Sequence, residues 1–563
     1  MWQITAALLA IGSICAAQTS ANQKAAVAPA EDPDAKCAGC HQQIYKHYKQ
    51  TPMAHASGPA MDGLLAGEFT HELSGVHYKL SLQDGKAWLS YDRPSSDPTR
   101  ALNGRQELLY YIGSGKRGRT YLFERDGFWF ESPVNWYAKK QLWDMAPSQI
   151  GVHEMPLTML VSPDCLHCHA SQVQESLPGS RNHYRDQPFL QSGITCASCH
   201  GDATAHLAQN GKGPILNPAK LDAERRDSIC LQCHLEGETA VARLGYSMNS
   251  FHPGDRLFDQ AVFFARDKKS DGSARSTSQW EALLQSACKR KSGDRLTCST
   301  CHDPHESPAP EQRVEYFRQK CLTCHGGATF VAKHHPEQQD CASCHMPALT
   351  AANVAHEQVT DHRILRRPGL QMASLNATVQ SSPNDLKTIG GIPAGDREFG
   401  LAYAQLATAG NPDLIAPAIH RLLAAEKLEA PGTADATLHT ELGFVEQLQG
   451  DRKAADQQYR TALHTDPADS AAAGDLALLL AQSGDFATAA QLWHTVFTND
   501  PTQLTAGLNL VIAECKLGNN QAANSALDRL LLFSPDDAKA RQLKQSIAIK
   551  PCVSQESSGR PVH

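Results

Sequence analysis

The sequence predicts a mainly α molecule in two parts: a compact N-terminal region carrying a small inserted β-meander, followed by an α-solenoid. Three observations predict it. The motif C-x-x-C-H occurs seven times, six of them between Cys165 and His345. Aromatic-rich runs of period two fill the gap between the first and second motifs. Beyond residue 396 the apolar spacing turns helical, and Leu, Gly, Ala and Pro recur every 34 residues.

The motifs are Cys37-Ala-Gly-Cys40-His41, Cys165-Leu-His-Cys168-His169, Cys196-Ala-Ser-Cys199-His200, Cys230-Leu-Gln-Cys233-His234, Cys298-Ser-Thr-Cys301-His302, Cys321-Leu-Thr-Cys324-His325 and Cys341-Ala-Ser-Cys344-His345. Each is the attachment sequence for a c-type haem. The paired cysteines tether a porphyrin through thioethers, and the following histidine gives iron its proximal nitrogen. The expected cofactors are therefore seven covalently attached haem c, and the protein reads as a multihaem cytochrome c. Six motifs share the stretch 165–345, ~30 residues per haem, too little chain for an ordinary side-chain core. A haem-packed domain, with macrocycles as its core, is the expectation.

The ends and the composition set the compartment. Ile4 to Ile14 is an apolar run too short to span a bilayer, followed by small residues, so 1–17 reads as a signal peptide and 18–35 as a flexible leader. A lipoprotein reading of Cys15 is the weaker alternative, because bulky Ile14 precedes it. Export, to the periplasm or the cell exterior, follows. A net charge of -7 with 41% hydrophobic residues fits a soluble globular chain and argues against nucleic-acid binding. No other stretch reads as transmembrane. Of 18 cysteines, fourteen lie in motifs; apart from Cys15 this leaves Cys288, Cys515 and Cys552, whose pairing sequence leaves open.

In chain order, the haem domain spans 36–367 with its β insert at about 71–144. There the runs 76–82, 87–91, 108–112 and 120–123 are separated by Asp84-Gly85 and Asp126-Gly127. A Ser-, Asn-, Gly- and Pro-rich linker covers 368–396. Residues 397–550 carry the 34-residue period, through Pro467, Pro501 and Pro535, Gly450, Gly484 and Gly518, and Ala455, Ala489 and Ala523. That is the tetratricopeptide period, expected to stack into a solenoid on which a redox partner protein docks. Residues 551–563 read as a disordered tail.

Each iron needs a second axial ligand, and fourteen further histidines are available between His47 and His362. Context favours His305 in Cys301-His302-Asp303-Pro304-His305, His206 just behind Cys199-His200, and His335, His356 and His362 around the last motif. Met53 and Met346 are alternatives that would raise a haem's potential.

Several segments resemble a known class: Cys37 to His41 with Ile44-Tyr45 and Met53-Ala54-His55, Tyr111-Ile112-Gly113-Ser114-Gly115, Pro133-Val134-Asn135-Trp136-Tyr137, Thr297 to His305, Cys341 to Pro347, and Thr360-Asp361-His362-Arg363. They are similar to exported bacterial multihaem cytochromes with C-terminal tetratricopeptide repeats, within the wider class of the tetrahaem cytochrome of ammonia oxidisers and the octahaem hydroxylamine oxidoreductases. The resemblance implies mostly His/His ligation, with His55, His206, His305, His335 and His362 as distal ligands. His356 and His183 complete seven, and His252 is a substitute. If all seven bind iron, the protein is an electron carrier. If one site stays open, it is an oxidoreductase acting on a small inorganic nitrogen or sulfur substrate; the lysine-ligated motif C-x-x-C-K is absent.

Overall fold

The structure, a computed structural model, describes residues 32–267, 277–327, 330, 340–348, 360–367 and 385–552. The expected signal peptide, most of the linker and nearly all of the tail lie outside them.

The N-terminal part is richer in β-structure than the small meander expected. Strands β1 (Ser57–Pro59), β6 (Tyr110–Ile112), β7 (Gly118–Arg125), β8 (Phe128–Glu131) and β11 (Met159–Leu160) form one sheet, from which β9 (Val134–Tyr137) and β10 (Leu142–Met145) branch at β7. A second sheet runs β2 (Gly67–His71), β3 (Val76–Gln83), β4 (Lys86–Arg93) and β5 (Leu102–Leu108). Alternation buries Val76, Tyr78 and Leu80 on β3 and Ala87, Leu89 and Tyr91 on β4. Asp84-Gly85 and Asp126-Gly127 make two-residue hairpin turns with both φ positive, 53° and 71°, then 53° and 83°. Most strands that sequence missed are two to five residues long, too short to show a period; the seven-residue β5 is polar through its middle, Asn103 to Glu107, and shows no apolar alternation.

The haem-motif segments fold differently. The third motif lies at helix Ala197–His200, the fifth at Cys298–Cys301, the sixth ends α3 (Arg313–His325), and the seventh forms Cys341–His345; none of these four helices has a buried residue. α1 (Gln42–Tyr48) leaves the first motif, and α2 (Ala223–His234) ends in the fourth. Strands β12 (Ala170–Val173) and β13 (Phe189–Ser192) link the second motif to the third, while β14 (Thr239–Ala242) pairs with β15 (Ala261–Ala265), and β15 with β16 (Lys387–Thr388).

The solenoid comprises α4 (Asp396–Thr408), α5 (Ile415–Glu426), α6 (Ala436–Gln449), α7 (Arg452–Thr465), α8 (Ser470–Gln482), α9 (Phe486–Asn499), α10 (Leu504–Lys516), α11 (Asn520–Phe533) and α12 (Ala538–Ile549). The recurring glycines are explained: Gly450, Gly484 and Gly518 take φ of 97°, 96° and 79° at the turn inside each helix pair. Ala455, Ala489 and Ala523 are fully buried where the paired helices meet. Cys515 and Cys552 form a disulfide tying α10 to the chain beyond α12.

Both ends of the solenoid are fixed to the N-terminal part. At one end, Leu401, Ala402 and Leu438 share a core with Val241, Val262, Phe264 and Leu386, and Arg397 donates to the Ala242 carbonyl at 2.8 Å. At the other, Phe533 enters the core between the two β-sheets, edge-on to Phe128 at 5.6 Å. Arg93 and Asp536 form a buried ion pair there, and Asp536 also accepts from the Met155 amide at 2.8 Å. Arg181 reaches Asp500 at 3.1 Å between these two contacts.

Candidate haem-binding site

The motifs converge on a cavity of about 3610 Å³, lined by residues from Pro33 to Arg366. That is several times the roughly 300–1,000 Å³ of a single ligand pocket. Cysteines of all motifs reach it except Cys40 and Cys165. Of the proximal histidines, His41, His200, His234, His302, His325 and His345 line it. The segments are neighbours in a definite pattern: Cys37 contacts Cys196, Cys230 contacts Cys298, and Cys321 contacts Cys341. The Cys168 sulfur lies 3.8 Å from the Gln232 carbonyl, and the Cys233 sulfur 4.0 Å from the His167 carbonyl, joining the second motif to the fourth.

Three expected distal histidines face three proximal ones. The rings of His41 and His206 are 6.5 Å apart at 17°, those of His200 and His305 6.1 Å at 18°, and those of His302 and His362 6.4 Å at 27°. Two imidazoles bonded to one metal from opposite sides, each nitrogen about 2 Å from it, place their ring centres roughly 6.3 Å apart. The spacing leaves room for one iron between each pair, and a haem held there would be tethered by the adjacent motif cysteines.

Backbone carbonyls set the tautomers. His200 Nδ1 meets Leu216 O at 2.9 Å, His206 Nδ1 meets Gly213 O at 3.0 Å, His362 Nδ1 meets Thr360 O at 2.9 Å, and His345 Nδ1 meets Leu365 O. A carbonyl only accepts, so each Nδ1 carries the proton and each Nε2 keeps a lone pair for metal. Burial pushes the His234, His302 and His362 pKa values down, which favours the neutral, metal-binding imidazole. Gly213 belongs to this geometry: a Cβ there would lie 2.1 Å from the Ala205 carbonyl.

The remaining distal candidates lie elsewhere. His55 is exposed, and its Nε2 bonds the Lys49 carbonyl at 2.7 Å, so that nitrogen carries the proton and has no lone pair to give. His183 bridges to Phe128 and stacks on its ring at 4.1 Å in the β module, because its chain pairs there with the end of a hairpin. Neither ring is brought to face a proximal one. His335 and His356 fall outside the described residues. His252 stands largely exposed at the cavity rim beside Asp255; Met53 and Met346 line the cavity. His169, the second motif's proximal residue, accepts from the Ser57 hydroxyl through its carbonyl. Sequence reasoning missed Asp34 and Asp227, buried carboxylates that accept from the Cys196 and Cys298 amides. Their shared position three residues before a motif was the available signal.

Three segments match family models: cytochrome c554 and c-prime over residues 137–201, a doubled CXXCH motif over 290–330, and a tetratricopeptide repeat over 480–547. No curated protein sequence matches the chain. Among solved structures, MamA of AMB-1 is 19% identical, covering 27% of this chain and 80% of its own, with a TM-score of 0.24. YrrB, described as a tetratricopeptide repeat protein with an unusual peptide-binding site, is 21% identical over 26% of this chain and 74% of its own, at 0.23. PilF of Pseudomonas aeruginosa is 20% identical over 28% and 71%, at 0.25. No helix among the described residues is long and apolar enough to cross a membrane.

Proposed function

We propose that this multihaem c-type cytochrome with tetratricopeptide repeats passes electrons through seven haems and docks a redox partner on its solenoid. The three facing imidazole pairs carry the reading. His41, His200 and His302 would hold iron from the motif side, and His206, His305 and His362 from the other. Bound haem supplies reversible one-electron exchange at iron. The chain's own part is to hold Nδ1 of His200, His206 and His362 on backbone carbonyls, leaving Nε2 for metal, and to hold the motif segments side by side. Neighbouring motifs favour short steps between sites. An exported location agrees with the Cys515–Cys552 disulfide, since such bonds persist in oxidising compartments.

One observation favours the second reading, an oxidoreductase for a small inorganic nitrogen or sulfur substrate. His55 and His183, two of the expected distal ligands, are held instead by the Lys49 carbonyl and by the Phe128 ring. Two measurements separate the readings. Pyridine haemochrome should give seven haems per chain, and clearly fewer contradicts the motif count. Ferric spectra that are uniformly low-spin exclude the oxidoreductase; a high-spin fraction that shifts on adding nitrite or hydroxylamine excludes the pure carrier.

A further inference from the structure

A helix start leaves amide donors without a partner in the helix. The second and seventh motifs supply their own acceptors: Ser162 accepts from the Cys165 amide at 3.4 Å, and Asp340 from the Ser343 amide at 3.1 Å. The third and fifth take an acceptor from another motif, the fifth in addition to the capping box that Thr297 and Thr300 make at its start. Cys196 N donates to Asp34 Oδ1 at 2.9 Å, and Cys298 N donates to Asp227 Oδ1 at 2.9 Å. Asp34 and Asp227 occupy the same place, three residues before Cys37 and Cys230, and are 3% and 2% exposed.

The likeness extends to the second oxygen. Lys49 Nζ stands 3.1 Å from Asp34 Oδ2, and Lys289 Nζ stands 4.0 Å from Asp227 Oδ2. Each lysine is held from its far side, Lys49 by Asp32 at 2.8 Å and Lys289 by the Leu296 carbonyl at 2.7 Å. Two unrelated stretches of chain thus build one device: a buried carboxylate, a foreign helix start and a tethered lysine. A charge-assisted bond of this kind is about twice as strong as a neutral one and directional. A buried negative charge beside a redox centre also favours its oxidised, more positive state.

We infer that Asp34 and Asp227 are positioning residues: Asp34 fixes the first haem against the third, Asp227 fixes the fourth against the fifth, and both hold the potentials of these haems down. The inference rests on the haem-carrying reading above. Its test is a redox titration of the full-length holoprotein with D34N, D227N, D34A and D227A, each with a haem count and ferric EPR. Asparagine keeps an acceptor oxygen and removes the charge; alanine removes both. The Asn variants should retain seven haems and raise the midpoint potentials of two haems while five stay put. The Ala variants should in addition change the ferric EPR signals of the two haems of that pair. Wild-type potentials in the Asn variants, or a wild-type EPR spectrum in the Ala variants, overturn the inference. If an Ala variant does not accumulate, the Asn variant decides alone. Fewer than seven haems in the unaltered protein overturns the underlying reading instead, a result visible before any variant is made.

Discussion

His305 stands two residues beyond Asp303, whose carboxylate lies 3.4 Å from its Nδ1 and so leaves Nε2 free on the side of His200. The same division of labour recurs at His206 and His362, with carbonyls in place of the carboxylate. Each imidazole is therefore expected to serve one iron. Replacing His206, His305 or His362 by Ala should convert one haem from low-spin to high-spin, read in the ferric absorption and EPR spectra. H183A should leave those spectra unchanged, since His183 stacks on Phe128 in the β module; a new high-spin signal would show that it ligates. The convergence of the motif segments on one cavity was legible because their shared spacing marks one chemistry. That His206 and His305 lie near motif histidines was legible because each sits a few residues behind a motif. The pairing of His41 with the ring of His206, far along the chain, was not, since nothing local encodes it. His55 misled for a similar reason: its place in the chain suggested a ligand, while a local carbonyl takes its Nε2.

At the scale of elements, the 34-residue period made the repeats legible down to their turns, because a left-handed glycine and a buried alanine recur at fixed positions. The hairpins at Asp84-Gly85 and Asp126-Gly127 were legible for the same kind of reason. The period also stacks acids. Glu441 on α6 and Asp475 on α8 occupy equivalent positions, and burial, with the Asp469 carboxylate near both, pushes their pKa values up to about 7 and about 6. The folded chain thus holds protons that the unfolded chain has lost, so the repeats should become less stable as pH rises from about 4 to about 7. E441Q removes this penalty. It should raise the Tm of the repeats at pH 8 by roughly 3–6 °C, equivalent to about 1–3 kcal/mol, and leave it unchanged at pH 4. An equal shift at both values would assign the effect to packing.

Across the whole molecule, the solenoid is a strut rather than an appendage. Breaking its distal joint should be costly: R93A removes the closer cation of Asp536 and leaves it Arg541 at 3.7 Å, at about 1–3 kcal/mol. Limited proteolysis should then cut both the β module and α11–α12, and cleavage confined to the repeats would show that the joint carries no load. Deletion from Gly390 onward should likewise expose Val262 and Phe264 and loosen β14–β15, seen as faster amide exchange in residues 239–265. Exchange as slow as in the full chain would mark the repeats as separable. None of this was legible in the sequence, because contacts between Arg93 and Asp536 span 443 positions and leave no periodic trace.

That span also fixes an order of events during biosynthesis. A chain emerging from its N-terminus presents every C-x-x-C-H segment before Phe533 and Asp536 exist, so the core between the two β-sheets cannot be completed until all of those segments have been made. The final repeat acts as a latch, closing the molecule only after the last attachment site has been exposed.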